Sequence, residues 1–352
     1  MEHGARALEN LEMNPEFWRG KRVLLTGHTG FKGAWLALWL HQFGARVTGY
    51  ALQPATDPSL FEAARLGELM TSLIADVRDP AALKAAFAVH QPEIVVHMAA
   101  QSLVRASYHD PVATYATNVL GTVNVLEAAR HAPGINAVLI VTSDKCYENA
   151  DQSRACVESD ALGGHDPYSS SKACAEIVTS AYRRSFFPAA RAGGIAVASA
   201  RAGNVIGGGD WAADRLIPDM VRAYTAGRRV KLRNPSATRP WQHVLDPLNG
   251  YLTLIEKLCV AGAQFAEAWN FGPDTVGERR VDALADAMTG LWGDGAGWEI
   301  DNDNHQHEAR RLALDSGKAR ARLGWMPRLD LAQSLQWTVN WYKRHHGGED
   351  AR

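Results

Sequence analysis

The chain has 352 residues, a formal net charge of −1, and a composition that is 46% hydrophobic and 21% charged. This balance is typical of a soluble globular enzyme and excludes an intrinsically disordered chain. The near-zero charge gives no field that would attract nucleic acid or a membrane surface. The length exceeds what one ordinary hydrophobic core accommodates, so we expect two lobes. No apolar run reaches the roughly 18 residues of a membrane-spanning helix, so we expect none.

The amino terminus and the cysteines bear on the cellular compartment. We expect residues 1–12 to be a loosely attached extension, and because they contain no long apolar segment we expect no signal peptide. Cys146, Cys156, Cys174 and Cys259 form neither a C-x-x-C pair nor a metal-binding spacing. We therefore predict reduced thiols, no metal site and a cytoplasmic location.

The first half of the chain alternates short apolar runs with helical patterns. The runs that predict strands are 22–25, 45–50, 73–75, 94–98, 137–142 and 197–201. Residues 34–43 repeat apolar side chains at helical spacing, and Asp79-Pro80 is typical of a helix start. Strands that are apolar on both faces and alternate with helices indicate a parallel sheet covered on both sides. We therefore predict a Rossmann-type, doubly wound α/β fold.

The regular alternation fades past about residue 203, where Gly, Pro, Arg and Trp become more frequent. We therefore predict a dinucleotide-binding domain over residues 1–202 and a smaller substrate-binding lobe over residues 203–352. Parts of 242–271 are expected to return to the first domain.

A glycine-rich loop joins the first predicted strand to the first helix, with the sequence TGHTGFKG from Thr26 to Gly33. Its Gly-x-x-Gly-x-x-Gly spacing lets the backbone approach a pyrophosphate at a helix N-terminus, so the loop predicts a dinucleotide site. Lys32 either faces phosphate or is solvated. The second strand ends with neither an acidic residue for a ribose nor an arginine for a 2′-phosphate, so NAD and NADP both remain open.

Several polar residues follow the predicted ends of neighbouring strands. Because ligands of parallel sheets lie beyond the carboxyl ends of the strands, we expect Asp76, the Ala99-Ala100-Gln101 turn, Ser143 and Arg201 to converge with the glycine loop on one crevice. Asp76 is predicted to bind an adenine amino group, with helix capping as the alternative.

Tyr168 and Lys172 share one helical face at i, i+4 spacing. A lysine ammonium beside a phenol should lower the pKa of Tyr168 and let it take a hydroxyl proton near neutrality. Ser143 would add a hydrogen bond to the same substrate oxygen. Together with the glycine loop these residues predict a hydride-transfer centre. Asp144 and Lys145 are not needed for oxidation alone, which hints at further chemistry.

The glycine loop, the Tyr-x-x-x-Lys spacing and residues 201–205 resemble the extended short-chain dehydrogenase/reductase family. More narrowly, TSDKCY over 142–147, RAGNVIGGGDW over 201–211 and RPWQHV over 239–244 resemble the CDP-glucose 4,6-dehydratases. The resemblance extends from about Phe17 to Tyr342. It implies a cytoplasmic lyase that uses NAD to convert CDP-glucose to a 4-keto-6-deoxy sugar and water, supplying deoxysugars for surface polysaccharide.

The resemblance also implies a redox-neutral reaction: oxidation at C4, elimination of water across C5 and C6, and return of hydride to C6. Tyr168 would take the O4 proton, and Asp144 would protonate the departing 6-hydroxyl. Lys145 stands where dTDP-glucose dehydratases carry a glutamate. We interpret it as the base that removes the C5 proton, which requires a neutral amine. The alternatives are electrostatic stabilisation of the enolate and a solvated surface lysine.

The family's binding residues are carried over in the same way. The implied cofactor ligands are Gly27, Thr29, Gly30, Phe31, Lys32, Gly33, Asp76, Val77, Ala99, Ala100, Gln101, Asn118, Tyr168 and Lys172. The implied substrate ligands are Ser143, Asn204, Arg215, Arg239, Asn270, Arg310 and Arg311. Arginine forks suit a diphosphate, although Arg239-Pro240-Trp241 could equally form a structural corner. His305 and His307 are expected to be solvated rather than metal-binding.

Helices around 115–130 and 170–183 are expected to pair in a homodimer, as in related enzymes. Three alternatives to the implied activity stay open: a dTDP- or GDP-sugar dehydratase, a C4 epimerase, and a non-catalytic NAD-binding protein. The Asp144-Lys145 pair argues against an epimerase, and the intact Ser143, Tyr168 and Lys172 argue against a non-catalytic protein. Selection of the cytosine base rests on the resemblance alone.

Overall fold

The computed structural model describes residues 14–148, 154–187, 194–274, 277–293, 295–303 and 309–351. The predicted extension over residues 1–12 lies outside these ranges, as do His305 and His307.

The strands are β1 (Arg22–Thr26), β2 (Arg46–Ala51), β3 (Thr71–Ile74), β4 (Ile94–His97), β5 (Ala137–Val141), β6 (Ala196–Ala202), β7 (Val205–Ile206), β8 (Val230–Leu232), β9 (Thr238–Pro240), β10 (Gln242–His243), β11 (Ala268–Phe271), β12 (Glu278–Arg280) and β13 (Trp298–Ile300). The α-helices are α1 (Pro15–Trp18), α2 (Phe31–Gln42), α3 (Leu60–Ala63), α4 (Pro80–His90), α5 (Val104–His109), α6 (Pro111–Tyr115), α7 (Gly121–His131), α8 (Pro167–Ser185), α9 (Leu216–Thr225), α10 (Leu245–Ala261), α11 (Val281–Trp292), α12 (Gly317–Leu323) and α13 (Leu331–His346). A π-helical segment (Ala116–Leu120) joins α6 to α7.

Within the described residues, seven parallel strands form the central sheet in the order β11-β6-β5-β4-β1-β2-β3. Leu24 of β1 lies between Thr48 of β2 and Val95 of β4. The chain runs outward from β1 to β3 on one side and resumes with β4 on the other side. The crevice expected at such a reversal therefore lies beyond the carboxyl ends of β1 and β4. The predicted fold class is confirmed.

Apolar side chains cover both faces of this sheet, as the unbroken apolar strands predicted. On one face α2 and α10 pack through Leu36, Leu40, Leu248 and Tyr251. On the other face the layer includes α4 and α7, with Phe87, Val125 and Leu126 buried against Val95 and Ile140. Because both faces are covered, the sheet presents its polar ends, and not its faces, to ligands.

The carboxyl-terminal third contributes to both parts of the molecule. β11 returns to the central sheet and pairs with β6, with Trp269 opposite Ala200. A separate cluster of buried side chains joins α9, α11 and α13 through Met220, Met288 and Val339. The division at residues 202 and 203 into two domains stays a prediction. Among the described residues, no helix is long and apolar enough to cross a bilayer.

Candidate active site

A crevice of about 1020 Å³ lies at the carboxyl ends of β1, β4 and β5. It lies between the glycine loop and the segments around α9 and β8. The structure brings most of the predicted site residues together on its walls: Gly27, Thr29, Gly30, Phe31, Lys32, Gly33, Asp76, Val77, Ala99, Ala100, Ser143, Asp144, Lys145, Tyr168, Lys172, Asn204, Arg215 and Arg239.

The glycine loop is a tight cradle in which two positions exclude any side chain. Gly27 has φ +79, and a Cβ there would lie 2.7 Å from the backbone nitrogen of Ala99. A Cβ on Gly33 would lie 2.1 Å from the carbonyl oxygen of Gly27. The first turn of α2 can therefore pack directly against the loop and present its N-terminus to the crevice. This shape fits the pyrophosphate of a dinucleotide.

Lys32 lines the crevice and is partly buried. Its Nζ donates to the Tyr251 hydroxyl at 3.1 Å and lies 5.3 Å from the centre of that ring. Burial, assisted by the charges of Lys172 and Arg215, lowers the pKa of Lys32 to about 7. An anionic ligand in the crevice would favour its charged form.

Gln101 and Asn118 do not line the crevice, and their expected role as cofactor ligands stays a prediction. The Asn118 amide accepts a hydrogen bond from the Gln101 backbone nitrogen at 2.9 Å and donates to the Gln101 carbonyl at 3.0 Å. The Gln101 amide group bonds Leu103 and Thr114. These side chains hold the turn after β4 in shape, while Ala99 and Ala100 face the crevice.

The turn after β5 presents Ser143, Asp144 and Lys145 in sequence. The Ser143 hydroxyl accepts from the Lys145 backbone nitrogen at 3.2 Å, caps the short 3₁₀ helix Asp144–Cys146, and donates to Asp144 Oδ1 at 2.9 Å. Asp144 is buried, and its Oδ2 has no hydrogen-bond partner among the described residues. The Lys145 Nζ lies 4.0 Å from Asp144 Oδ1, with 26% of the side chain exposed.

Helix α8 carries Tyr168 and Lys172 into the crevice wall. It begins with Pro167 after an Asp166 cap, so Tyr168 lies in the first turn and Lys172 in the second. Both side chains are buried. The Lys172 Nζ donates to the Val141 carbonyl at 3.3 Å, and burial lowers the pKa of Lys172 to about 8.

The expected lowering of the Tyr168 pKa is wrong. Burial raises the pKa of Tyr168 to about 12, and the hydrogen bond with Ser143 only partly offsets that effect. The physical reason is that desolvation of the phenolate, together with the charge of Asp144, outweighs the Ser143 hydrogen bond and the charge of Arg215. The Lys172 ammonium is bonded to the Val141 carbonyl of β5. Spacing alone could not weigh burial against charge.

The predicted arginines divide into two groups. Arg215 lines the crevice, where it donates to Asp210 Oδ2 at 3.0 Å and to the Ser102 hydroxyl at 2.9 Å. Arg239 also lines it and is buried, with its guanidinium bonded to the carbonyls of Thr238 and Arg310. Arg311 points elsewhere and pairs with a glutamate of β12, and the exposed Arg310 side chain is not part of the crevice wall. The structure thus favours neither Arg310 nor Arg311 as a substrate ligand.

Asn270 lies beneath the site and not on its wall. Its side chain is fully buried, accepts from the Tyr147 hydroxyl at 2.7 Å, and donates to the carbonyls of Cys156 and Asp315. Both polar atoms of the amide thus have partners within the protein, and its expected role as a substrate ligand stays a prediction.

Sequence reasoning missed a second cationic group at the crevice. Arg105 of α5 and Arg233 after β8 both pair with Asp214, at 2.8 and 3.2 Å, and Lys231 lines the same wall. These residues are far apart in the chain and share no motif, so the sequence offered no signal for them. They extend the positive lining away from Arg215 and Arg239, along a path that an extended diphosphate could follow.

Comparison with known proteins decides the family. The profile described as GDP-mannose 4,6 dehydratase matches residues 24–338, which is most of the chain. The chain belongs to this dehydratase family. The predicted membership of the nucleotide-sugar dehydratases is thereby confirmed, and the chain is a hydro-lyase, as the resemblance implied.

Individual relatives agree with that assignment. This dehydratase is 52% identical over 340 residues to CDP-glucose 4,6-dehydratase from Salmonella typhimurium, covering 96% of this chain and 95% of the relative. It is 32% identical over 255 residues to dTDP-glucose 4,6-dehydratase from Streptomyces griseus, covering 71% and 72% of the two chains. A solved dTDP-glucose 4,6-dehydratase from Streptomyces venezuelae, with NAD bound, superposes with TM-score 0.78 at 25% identity over 93% of this chain and 98% of that one.

Proposed function

We propose that this dehydratase converts CDP-glucose to CDP-4-keto-6-deoxyglucose and water, with NAD as its resident cofactor. The observation that carries the proposal is the buried turn that places Asp144 and Lys145 4.0 Å apart beside Ser143, in the same crevice as Tyr168 and Lys172. The 52% identity to a CDP-glucose 4,6-dehydratase supports the choice of nucleotide.

The glycine cradle fits a dinucleotide because Gly27 and Gly33 leave no room for side chains between the loop, α2 and the turn after β4. Thr29, Gly30, Phe31, Lys32, Asp76, Val77, Ala99 and Ala100 would hold the cofactor, since they line the same end of the crevice. When bound, NAD supplies the reversible acceptance of hydride from the sugar. Because the pKa of Lys32 is about 7, the negative charge of bound phosphates would shift this side chain to its protonated form.

At the C4 step, Tyr168 takes the proton from the sugar O4 hydroxyl. The burial that raises its pKa makes the phenolate a strong base, and the Arg215 cation opposes that rise and favours the phenolate. Ser143 lies within hydrogen-bonding range of Tyr168 and can bond the same substrate oxygen. Lys172, held at the end of β5 by the Val141 carbonyl, keeps a second cation next to the site.

The elimination step uses the turn after β5. The Nζ of Lys145 takes the proton from C5 as electrons from that C–H bond form the C5–C6 double bond. The C6–O bond breaks, and the proton carried by Asp144 joins the departing hydroxyl to make water. Once C6 has been reduced, the Lys145 ammonium returns a proton to C5. Tyr168 then releases the O4 proton to solvent and Asp144 takes up a proton from solvent, which restores both groups. The Oδ2 of Asp144 is buried and has no hydrogen-bond partner among the described residues, so it is the atom that we place next to the departing hydroxyl.

The diphosphate of the substrate would lie against Arg215 and Arg239, with Asn204 beside them on the same wall. The Asn204 Oδ1 is buried and has no hydrogen-bond partner among the described residues, so it can accept from a ligand hydroxyl. Arg233 and Lys231 lie farther along and can contact the distal part of the nucleotide.

A panel of substrates tests the proposal. The protein is incubated separately with CDP-, dTDP-, GDP- and UDP-glucose, and the 4-keto sugar is measured by its absorbance in alkali. We expect the wild-type protein to form product with CDP-glucose. The Tyr168→Phe variant serves as the matched blank. Product with dTDP-glucose alone would overturn the nucleotide assignment, and NAD binding without product from any of the four would overturn the activity.

We propose that the enzyme is a homodimer. Val112 and Tyr115 of α6, Leu120 in the π segment and Ile177 of α8 are exposed apolar side chains in neighbouring helices. The exposed fractions reach 78% at Val112. Sedimentation should give a dimer at micromolar concentration, and Val112→Asp with Leu120→Asp should give a monomer. The control is Val260→Asp, an equally exposed position on α10. A wild-type monomer would contradict the proposal.

We also propose a cytoplasmic location. Cys146 and Cys156 are buried free thiols, and burial raises the pKa of both, which keeps them unreactive in a reducing compartment. Cell fractionation that found the protein in an oxidising compartment would contradict it.

A further inference from the structure

A buried carboxylate, Glu176, lies one helical turn beyond Lys172 on α8 and touches neither the crevice nor solvent. It accepts hydrogen bonds from the hydroxyl of Thr142 and, at 2.7 Å, from that of Ser199, and it forms an ion pair with Arg201 at 2.8 Å. Both charged side chains are at most 4% exposed. Nothing in the elimination chemistry requires a fully buried ion pair at this place.

The ion pair is attached to both ends of the catalytic turn. Thr142, at the end of β5 and directly before Ser143, bonds Glu176 itself. Tyr147, directly after Cys146, receives a hydrogen bond from Arg201 at 2.7 Å, and the guanidinium lies 4.8 Å from its ring centre. The Asp144 and Lys145 backbone is therefore clamped between two residues that one buried pair holds in place.

The same carboxylate acts on the charge of Lys172. Burial lowers the pKa of Lys172, and the negative charge of Glu176 opposes that lowering. Burial alone would raise the pKa of Glu176, but the Arg201 charge and the hydroxyl bonds outweigh it and keep Glu176 ionised. The charge of Lys172 also lowers the pKa of Lys32 on the glycine loop and the pKa of His97 at the end of β4.

We propose that Glu176 is a positioning residue that couples the two halves of the catalytic centre. It keeps Lys172 charged for the hydride step and, through Thr142 and the Arg201–Tyr147 contact, fixes the Asp144–Lys145 turn against α8 for the elimination step. The proposal rests on the proposed dehydratase function. Because Glu176 does not line the crevice, it acts only through these neighbours.

The variant Glu176→Gln removes the charge and keeps the shape. We expect kcat with CDP-glucose to fall at least about tenfold, with KM within about threefold, because positioning is lost and binding is kept. Without the carboxylate the pKa of Lys172 falls, so the alkaline limb of the kcat profile should move to lower pH by on the order of one unit. Glu176→Asp keeps the charge and should keep the pH profile, even where kcat falls.

Two further variants separate positioning from general stability. Thr142→Val removes one bond to Glu176 without leaving a charge unpaired, and we expect a several-fold loss of kcat in a protein of near wild-type Tm. Glu16→Gln breaks an exposed carboxylate–arginine pair at 2.8 Å and should change nothing. If Glu176→Gln does not fold, the Thr142→Val variant tests the positioning role of Glu176. A wild-type kcat in Thr142→Val would overturn the proposal.

A measurement that does not depend on turnover separates the role of Glu176 from the proposed dehydratase activity. Competitive labelling of Lys172 with acetic anhydride across pH reports its protonation in the folded protein whether or not a substrate is turned over. We expect labelling of Lys172 to begin at lower pH in Glu176→Gln than in wild type. Identical labelling profiles would overturn the electrostatic coupling, whereas an inactive wild type with shifted labelling would contradict only the proposed function.

Discussion

The Lys145 Nζ lies 4.0 Å from Asp144 Oδ1, although the carboxylate is buried and the lysine reaches the crevice from a partly exposed position. Two adjacent residues of one turn thus present a carboxyl group and an amine at different depths. An elimination needs such a pair, because a proton leaves one carbon while a hydroxyl leaves the next. The assignment of acid to Asp144 and base to Lys145 leads to separable predictions.

Replacing Asp144 with asparagine should stop elimination and spare oxidation. We expect kcat to fall by about 10²–10⁴-fold, the usual contribution of a general acid. Because C4 oxidation still occurs, reduced cofactor should accumulate when CDP-glucose is added. Its absorbance in the near-ultraviolet measures this accumulation. Wild-type product formation in Asp144→Asn would contradict the assignment.

Lys145 can be tested as base against electrostatic stabiliser with two variants. Lys145→Arg keeps a positive charge but cannot accept a proton near neutrality, and Lys145→Ala removes both properties. We expect both variants to lose exchange of the C5 hydrogen with deuterated solvent. Exchange that persists in Lys145→Arg and is lost in Lys145→Ala would identify an electrostatic role, and exchange in both would exclude Lys145 altogether.

Tyr168→Phe should block the reaction one step earlier. Without the hydroxyl no group takes the O4 proton, so neither reduced cofactor nor 4-keto product should form above about a thousandth of the wild-type rate. Cofactor binding, followed by calorimetry, should remain within a few-fold of wild type. Accumulation of reduced cofactor in this variant would show that another residue accepts the proton.

Gly33→Ala should abolish cofactor binding, because the new Cβ would lie 2.1 Å from the Gly27 carbonyl oxygen and force the loop off α2. The matched control is Gly290→Ala in α11, where the added Cβ would have no atom within 4 Å outside the helix's own backbone. There alanine should stabilise the helix by roughly 0.5–1 kcal/mol. The measurement is the rise in Tm on adding NAD. An unchanged rise in Gly33→Ala would contradict the cradle.

The buried Asp246 should make the free energy of unfolding depend on pH. Burial raises its pKa to about 6, so the folded state holds this proton more tightly than the unfolded state and stability is lost as pH rises from about 4 through 6. Asp246→Asn removes that loss and should stabilise the protein by about 2–3 kcal/mol at pH 8 and by roughly half as much at pH 5. Denaturation in urea at both pH values measures it, and equal effects at the two would contradict the explanation.

The sequence predicted the sheet well because its strands are apolar on both faces and end in polar turns. Residues whose role follows from a short motif, such as Gly27, Ser143 and Tyr168, lie where the motif places them on the crevice. The contacts of Gln101 and Asn118 could not be predicted, because their mutual hydrogen bonds depend on how the turn after β4 meets the π segment.

Other parts of the site depend on tertiary contacts that carry no local signal. Arg105 and Arg233 meet at Asp214 across more than a hundred residues of chain separation. The pKa of Tyr168 reflects desolvation by the whole crevice wall and is not a property of the Tyr-x-x-x-Lys spacing. Charge, burial and distant pairing are therefore what the structure adds to the sequence.

In the proposed reaction one hydrogen moves from C4 to C6 of the same sugar, and water is eliminated across C5 and C6. The direct test is to supply CDP-glucose that carries deuterium at C4 and to locate the label in the product by NMR. We expect deuterium at C6 of a 4-keto-6-deoxy sugar and a hydrogen from solvent at C5. Label recovered at C4 of a sugar that keeps its 6-hydroxyl, or lost to solvent, would contradict the dehydratase mechanism.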